Sequence, residues 1–353
     1  MIYYEGDNAL KKRIIVYGLG RVFARVHARI LQLYEVAAYT DKGDPPPTVA
    51  KKFISPRDIP YYAFDKILIC STRYYGDIKK SLLPIGIDES QIYGLWGLVS
   101  EEEEAGDIIA AWKRAGRLTP KNGHYKEQIF VIGDSHTCFL GGNNVKEAKP
   151  LGKWLNIREC SNVIHPFQVF HTGPGLAYNA CRYGTFAATR EKVDFLLKYG
   201  FIPKNSTILC CFGEIDIRVH AIRQAEQQGI SVEKVLDCII ERYLAFLQGI
   251  QKTNHVMVWG PIPSTKDGAY RDPLWPYYGS ERARNIATAY FNQRLEETCE
   301  SEKIGYVSVF KYLIDENYMT KGEYLYDGYH LAQKAWKFAM REFKSKGILV
   351  KVP

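Results

Sequence analysis

Two hydrophobic rhythms alternate along the chain. Short apolar runs read as buried strands; after them come stretches with apolar residues three and four apart, the spacing of one helix face. "RIIVYGLG" (13–20) is an apolar run closing on glycines, and "RVFARVHARILQLY" (21–34) carries the helical spacing. "EVAAYTD" (35–41) is a second strand ending in Asp41, "DKILICS" (65–71) a further one, and "YYGDIKKSLLPIG" (74–86) the helix after it. Such alternation predicts a parallel sheet with helices on its faces.

Residues 101–125 break the rhythm: "EEEEAGDIIAAWKRAGRL" predicts a helix, and "TPKNGHYKEQ" is a loop rich in turn formers. From Gln128 the alternation restarts. Strands are expected at "QIFVIGD" (128–134), "QVFHTG" (168–173), "STILCCFGEID" (206–216), "HVMVWGP" (255–261) and "IGYVSVF" (304–310). Helical patterns fill 190–200, 232–251, 281–302 and 332–347, the last capped by Gly347. The expected fold class is therefore α/β, as two three-layer α/β domains. The first spans 1–100, a linker helix and loop 101–125, and the second domain 126–353.

Composition narrows the function classes. The 353 residues are 46% hydrophobic and 24% charged, which suits a soluble globular protein. The formal net charge is +8, but basic clusters such as Lys11-Lys12-Arg13 are countered by acidic runs such as Glu101–Glu104. No concentrated basic face or reader motif points to nucleic acid. No stretch has the length of a membrane span, and "MIYYEGDNALKKR" lacks a signal-peptide core. Eight irregularly spaced cysteines, none as Cys-x-x-Cys, fit the reduced thiols of a cytosolic protein. Oligomeric state is not legible.

In open α/β sheets, ligands bind beyond the carboxyl ends of the strands. In the second domain those positions carry Gly133-Asp134-Ser135-His136, His171-Thr172-Gly173-Pro174-Gly175, and Gly213-Glu214-Ile215-Asp216 followed by Arg218 and His220. Asp327-Gly328-Tyr329-His330 precedes the last helix. A serine nucleophile needs an imidazole to take its proton, a group to orient that imidazole, and donors for the oxyanion. His330 and Asp327, three apart in one loop, suit the first and second of these roles. His165 and His171 read as structural.

This order of blocks resembles the SGNH, or GDSL, hydrolase superfamily over residues 126–345. The resemblance implies a flavodoxin-like domain with a parallel sheet and serine esterase or O-acyltransferase chemistry, with no cofactor needed for catalysis. By position it makes Ser135 the nucleophile, His330 the general base and Asp327 its orienter. The backbone N–H groups of Ser135 and Gly175, in preference to Gly173, become oxyanion donors. Asp134, His136 and Asp216 fall at the same site. The family's third block reads Gly-x-Asn-Asp, and its asparagine donates to the oxyanion. Ile215 stands there instead. Arg218 is the expected substitute, entering the cleft near the oxyanion or an anionic group of the substrate, with His220 the weaker candidate.

Asp134-x-His136, Asp216-x-x-x-His220 and Asp327-x-x-His330 also raise a metal-dependent phosphoesterase, but the other blocks of such enzymes are missing, so no metal is expected. In the first domain, Gly18-x-Gly20-x-x-Phe23 lies between strand and helix, and Asp41 ends the next strand. Phe23 replaces the third glycine of a dinucleotide fingerprint. Residues 12–95 resemble the Rossmann-like domains of bacterial sugar-modifying enzymes. That resemblance implies a nucleotide or nucleotide-sugar ligand at Gly18, Gly20 and Asp41. The combined expectation is ester chemistry on an acylated or nucleotide-linked sugar in surface-glycan biosynthesis. The alternative of another class is a non-catalytic sugar binder with a degenerate site.

Overall fold

The computed structural model describes residues 11–71, 74–115, 128–160, 163–269 and 275–350. It divides into two units: residues 1–100 with 184–188, and residues 101–183 with 189–353.

The first unit contains β1 (Arg13–Tyr17), α1 (Arg21–Leu33), β2 (Glu35–Thr40), β3 (Phe53–Ile54), β4 (Lys66–Ile69), α2 (Tyr75–Leu82) and β5 (Ile92–Tyr93). Its strands are all parallel, in the order β3-β2-β1-β4-β5, the order of a Rossmann-type sheet. Successive residues of β1 face opposite ways. Ile15 and Tyr17 pack with Tyr75, Ile78 and Leu82 of α2, while Ile14 and Val16 pack with Phe23 and Ile30 of α1. Both faces are thereby covered, giving three layers.

The second unit begins with α3 (Glu101–Arg114). It continues through β6 (Ile129–Gly133), β7 (Lys149–Leu151), β8 (Ile157–Glu159), β9 (Phe167–His171), α4 (Thr189–Lys198) and β10 (Thr207–Cys211). Then follow α5 (Ile222–Gln228), α6 (Val232–Gln251), β11 (His255–Trp259), α7 (Glu281–Ser301), β12 (Gly305–Val307) and α8 (Trp336–Ser345). The sheet order is β12-β11-β10-β6-β9-β8-β7. Its five long-range strands are parallel and, numbered along the chain, run 2-1-3-4-5, the flavodoxin-like order. The order reverses between β6 and β10, which fixes where a ligand crevice opens. Val131, Leu209 and Trp259 face α8 through Trp336, Ala339 and Phe343. Phe130, Ile132 and Cys210 are buried on the other face.

The sheet is parallel as expected, with a short antiparallel edge added where β8 pairs with both β7 and β9. These edge strands have three residues each, one with Pro150, too few to show a period. The expectation of a linker is corrected for the helix at 101–114. Its Glu104 is buried and accepts the backbone N–H groups of Lys153 and Trp154 at 2.8 and 3.0 Å, and its Trp112 stands edge-on to Phe201. The loop expected at 116–125 lies outside the described residues. All eight cysteines are free thiols, and among the described residues no helix is long and apolar enough to cross a membrane.

Candidate active site

β6 ends at the sheet's reversal point, and its last residue must be glycine. A Cβ on Gly133 would lie 2.1 Å from the Cys211 carbonyl oxygen of β10. The two strands therefore stay close to their ends, where Asp134 donates its N–H to the same carbonyl at 3.2 Å. Asp134 is buried and caps the 3₁₀ turn Ser135–Gly141, its carboxylate accepting the His136 N–H at 2.9 Å. The strand and its cap together set Ser135 at the mouth of the crevice.

Ser135 Oγ lies 2.7 Å from His330 Nε2, and His330 Nδ1 lies 2.7 Å from Asp327 Oδ2. The other oxygen of Asp327 accepts the backbone N–H groups of Tyr329 and His330 at 3.0 and 2.8 Å. An Asx-type turn thus fixes the loop that carries the imidazole. Burial opposes the charge on Asp327, but its hydrogen bonds with His330 outweigh it and hold the carboxyl at about 2. An ionised Asp327 keeps the proton on Nδ1 and leaves Nε2 to accept from Ser135. Tyr326 stacks on one side of the His330 ring at 5.7 Å, and the His136 ring lies 4.9 Å away.

His136 belongs to a second, buried relay. Its Nε2 lies 3.2 Å from Glu214 Oε2, and Glu214 takes a bidentate contact from Arg218, at 2.6 Å from Nε and 3.1 Å from Nη2. Burial disfavours charge on both Glu214 and His136. Arg218 and His136 nevertheless hold Glu214 well below the carboxylate range, and Asp134 and Glu214 raise His136. Arg218 also donates to the Trp275 carbonyl and lies 4.9 Å from the Tyr329 ring. Where Arg218 was expected in the cleft, near the oxyanion or an anionic group of the substrate, it is instead 6% exposed and engaged with Glu214. His220 does not substitute for it; its Nδ1 accepts from Arg223 at 3.3 Å, and burial lowers its pKa to about 4. Both residues lie on a π-helical turn, Asp216–Ala221, that runs into α5. Among the described residues no three His, Cys, Asp or Glu side chains converge as metal ligands.

The segment that follows the glycine turn after β9 is held by one buried acid. Asp216, buried and pushed up to about 7 by that burial, accepts the N–H groups of Ala177 and Tyr178 at 2.8 and 3.1 Å. It anchors that segment rather than touching a ligand. Ile215 is buried and offers no donor. The preference for Gly175 over Gly173 is also corrected. The Gly175 N–H donates to the Gly173 carbonyl at 2.8 Å, whereas those of Ser135 and Gly173 have no acceptor among the described residues. Gly133 and His171 are register partners on adjacent parallel strands. Ser135 and Gly173, each two residues further on, leave the sheet side by side. His171 is buried, while His165 is exposed.

In the first unit, Asp41 Oδ2 accepts the Leu19 N–H at 2.6 Å and Oδ1 accepts the Lys42 N–H at 2.7 Å. Its carboxylate thus closes the glycine turn between Gly18 and Gly20. Gly20 begins α1 with no side-chain cap, and Phe23 is buried edge-on to Tyr39.

Residues 10–93 match a family model described as C2185-like, N-terminal. No curated protein matches the chain. Among solved structures, a GDSL-like lipase from Bacteroides thetaiotaomicron is 13% identical, covering 70% of this chain and 96% of its own, with a TM-score of 0.42. A catalytic mutant of an acetylxylan esterase from Geobacillus stearothermophilus is 13% identical over 62% of this chain and 93% of its own, with a TM-score of 0.35. An aryl esterase from M. smegmatis is 14% identical over 63% of this chain and 100% of its own, with a TM-score of 0.37.

Proposed function

We propose that the second unit is a serine hydrolase acting on carboxylic esters. The observation that carries this reading is the relay from Ser135 Oγ through His330 to Asp327, two contacts of 2.7 Å at the sheet's reversal point. Ser135 Oγ attacks the ester carbonyl while His330 Nε2 takes its proton. The oxyanion meets the N–H groups of Ser135 and Gly173. As the tetrahedral intermediate collapses, His330 protonates the leaving alcohol and an acyl-serine remains. Water, or a hydroxyl group in its place, then attacks the acyl-serine with His330 again as base. An acylated sugar as substrate, a nucleotide-linked sugar held at the glycine turn of the first unit, and a cytosolic setting complete the proposal. Their support is the resemblance of each domain stated above.

The test uses a fluorophosphonate probe and p-nitrophenyl acetate. Labelling should be lost in Ser135→Ala, and turnover should fall by about 10⁴-fold or more. A wild-type protein that neither labels nor turns over at Ser135 would overturn the reading.

A further inference from the structure

One buried lysine of the second unit is held by a backbone carbonyl rather than by a carboxylate. Lys192, in the first turn of α4, is 2% exposed and makes no ion pair among the described residues. An ammonium so placed is costly unless it is hydrogen-bonded. Its Nζ donates to the Thr172 carbonyl at 2.6 Å. Burial lowers its pKa to about 7, opposed only by Glu191. His171, which precedes Thr172, is pushed down to about 3 by burial and then by Lys192 and Arg158, so it stays neutral beside the ammonium.

The Thr172 carbonyl and the Gly173 N–H are the two ends of one planar peptide group and point in opposite directions. A cation on the oxygen draws electron density from the nitrogen and makes that N–H a stronger donor. The preceding peptide and the Thr172 side chain tie this segment to the nucleophile strand. Thr172 donates to the Gly133 carbonyl through its N–H at 2.7 Å and through its hydroxyl at 2.9 Å. Gly173 then turns at φ +91°, in the left-handed region that favours glycine.

We propose that Lys192 is a positioning residue for the oxyanion: it polarises the Thr172–Gly173 peptide, so that the Gly173 N–H offers the stabilisation that the Ile215 side chain cannot. This inference rests on the serine-hydrolase reading of the same site.

The full chain is compared as wild type, Lys192→Met and Lys192→Arg, with active sites counted by fluorophosphonate titration. In Lys192→Met, kcat per titrated site for p-nitrophenyl acetate should fall by about tenfold or more while KM stays within about twofold. Binding of a phenylboronic acid, which forms an anionic tetrahedral adduct on serine, should weaken by a similar factor. Lys192→Arg keeps a charged donor and should recover part of both losses. A merely structural lysine would reduce the number of titrated sites and leave kcat per site and boronate affinity unchanged; that result overturns the proposal. Failure of the hydrolase reading looks different, since wild type would then show no Ser135-dependent labelling at all.

Discussion

Glu214 shows what a single carboxylate does when burial removes water from its neighbours. It faces a guanidinium and an imidazole, and all three side chains are almost fully enclosed. Removing one member of such a set leaves the others charged and unpaired, which costs about 3–5 kcal/mol. Glu214→Ala should therefore lose stability on that scale in urea unfolding. Turnover should fall in the fraction that stays folded, because His136 lies against the His330 ring and Tyr329, over which Arg218 sits, lies in the Asp327–His330 loop. A loss under about 1 kcal/mol would mean that Arg218 and His136 find other partners or water. The sequence held part of this. Glu214 and Arg218 are four apart, the spacing of a helical ion pair, so Arg218 had a partner nearer than any substrate. The contact with His136 spans 78 residues and has no local signal. Lys192 was equally silent, a lysine in a helix that looks solvated until its first turn is buried. Ser135, Asp327 and His330 were legible because each sits in a short block, and the blocks follow one another in a telling order.

At the level of elements, the strand ends matter more than the strands. The close approach of β6 and β10 at their ends depends on a residue without a side chain at position 133. Gly133→Ala would set a methyl group against the Cys211 carbonyl and the Thr137 side chain, at 2.1 and 2.8 Å before any relaxation. The strands must separate or Ser135 must shift. We expect a loss of about 3 kcal/mol, the upper end of ordinary overpacking, with fluorophosphonate labelling slowed beyond what unfolding explains. Wild-type melting and labelling would show that the crevice is more compliant than its geometry implies. The long elements were readable from periodicity, and β1, β2, β4, β6 and β9–β12 all lie where apolar runs predict. The π-helical turn at Asp216–Ala221 was not readable, because hydrogen-bonding from i to i+5 leaves no simple residue pattern. β3 and β5, at two residues each, were too short for any rhythm.

The molecule as a whole carries two separate parallel-type sheets, each with its own core. Ser135, His330 and Asp327, and Lys192, Glu214 and Arg218 besides, belong to the second unit. A domain with its own core folds alone when few of its buried contacts are lost at the cut. The cut that suits this chain is before Glu101, not after the helix, because α3 buries Glu104 and Trp112 against the second unit. One short segment goes the other way: residues 184–188 group with the first unit, and Tyr75 donates its hydroxyl to the Gly184 carbonyl at 2.7 Å. A fragment of residues 101–353 should therefore fold and label at Ser135 at close to the full-length rate. Protease should cut it faster near 184–188, where partners from the first unit are missing. A fragment starting at residue 126 should be less stable, since it lacks α3. Equal stability of the two fragments would show α3 to be dispensable. An insoluble or unlabelled 101–353 fragment would show that the second sheet and its relay need the first unit to form.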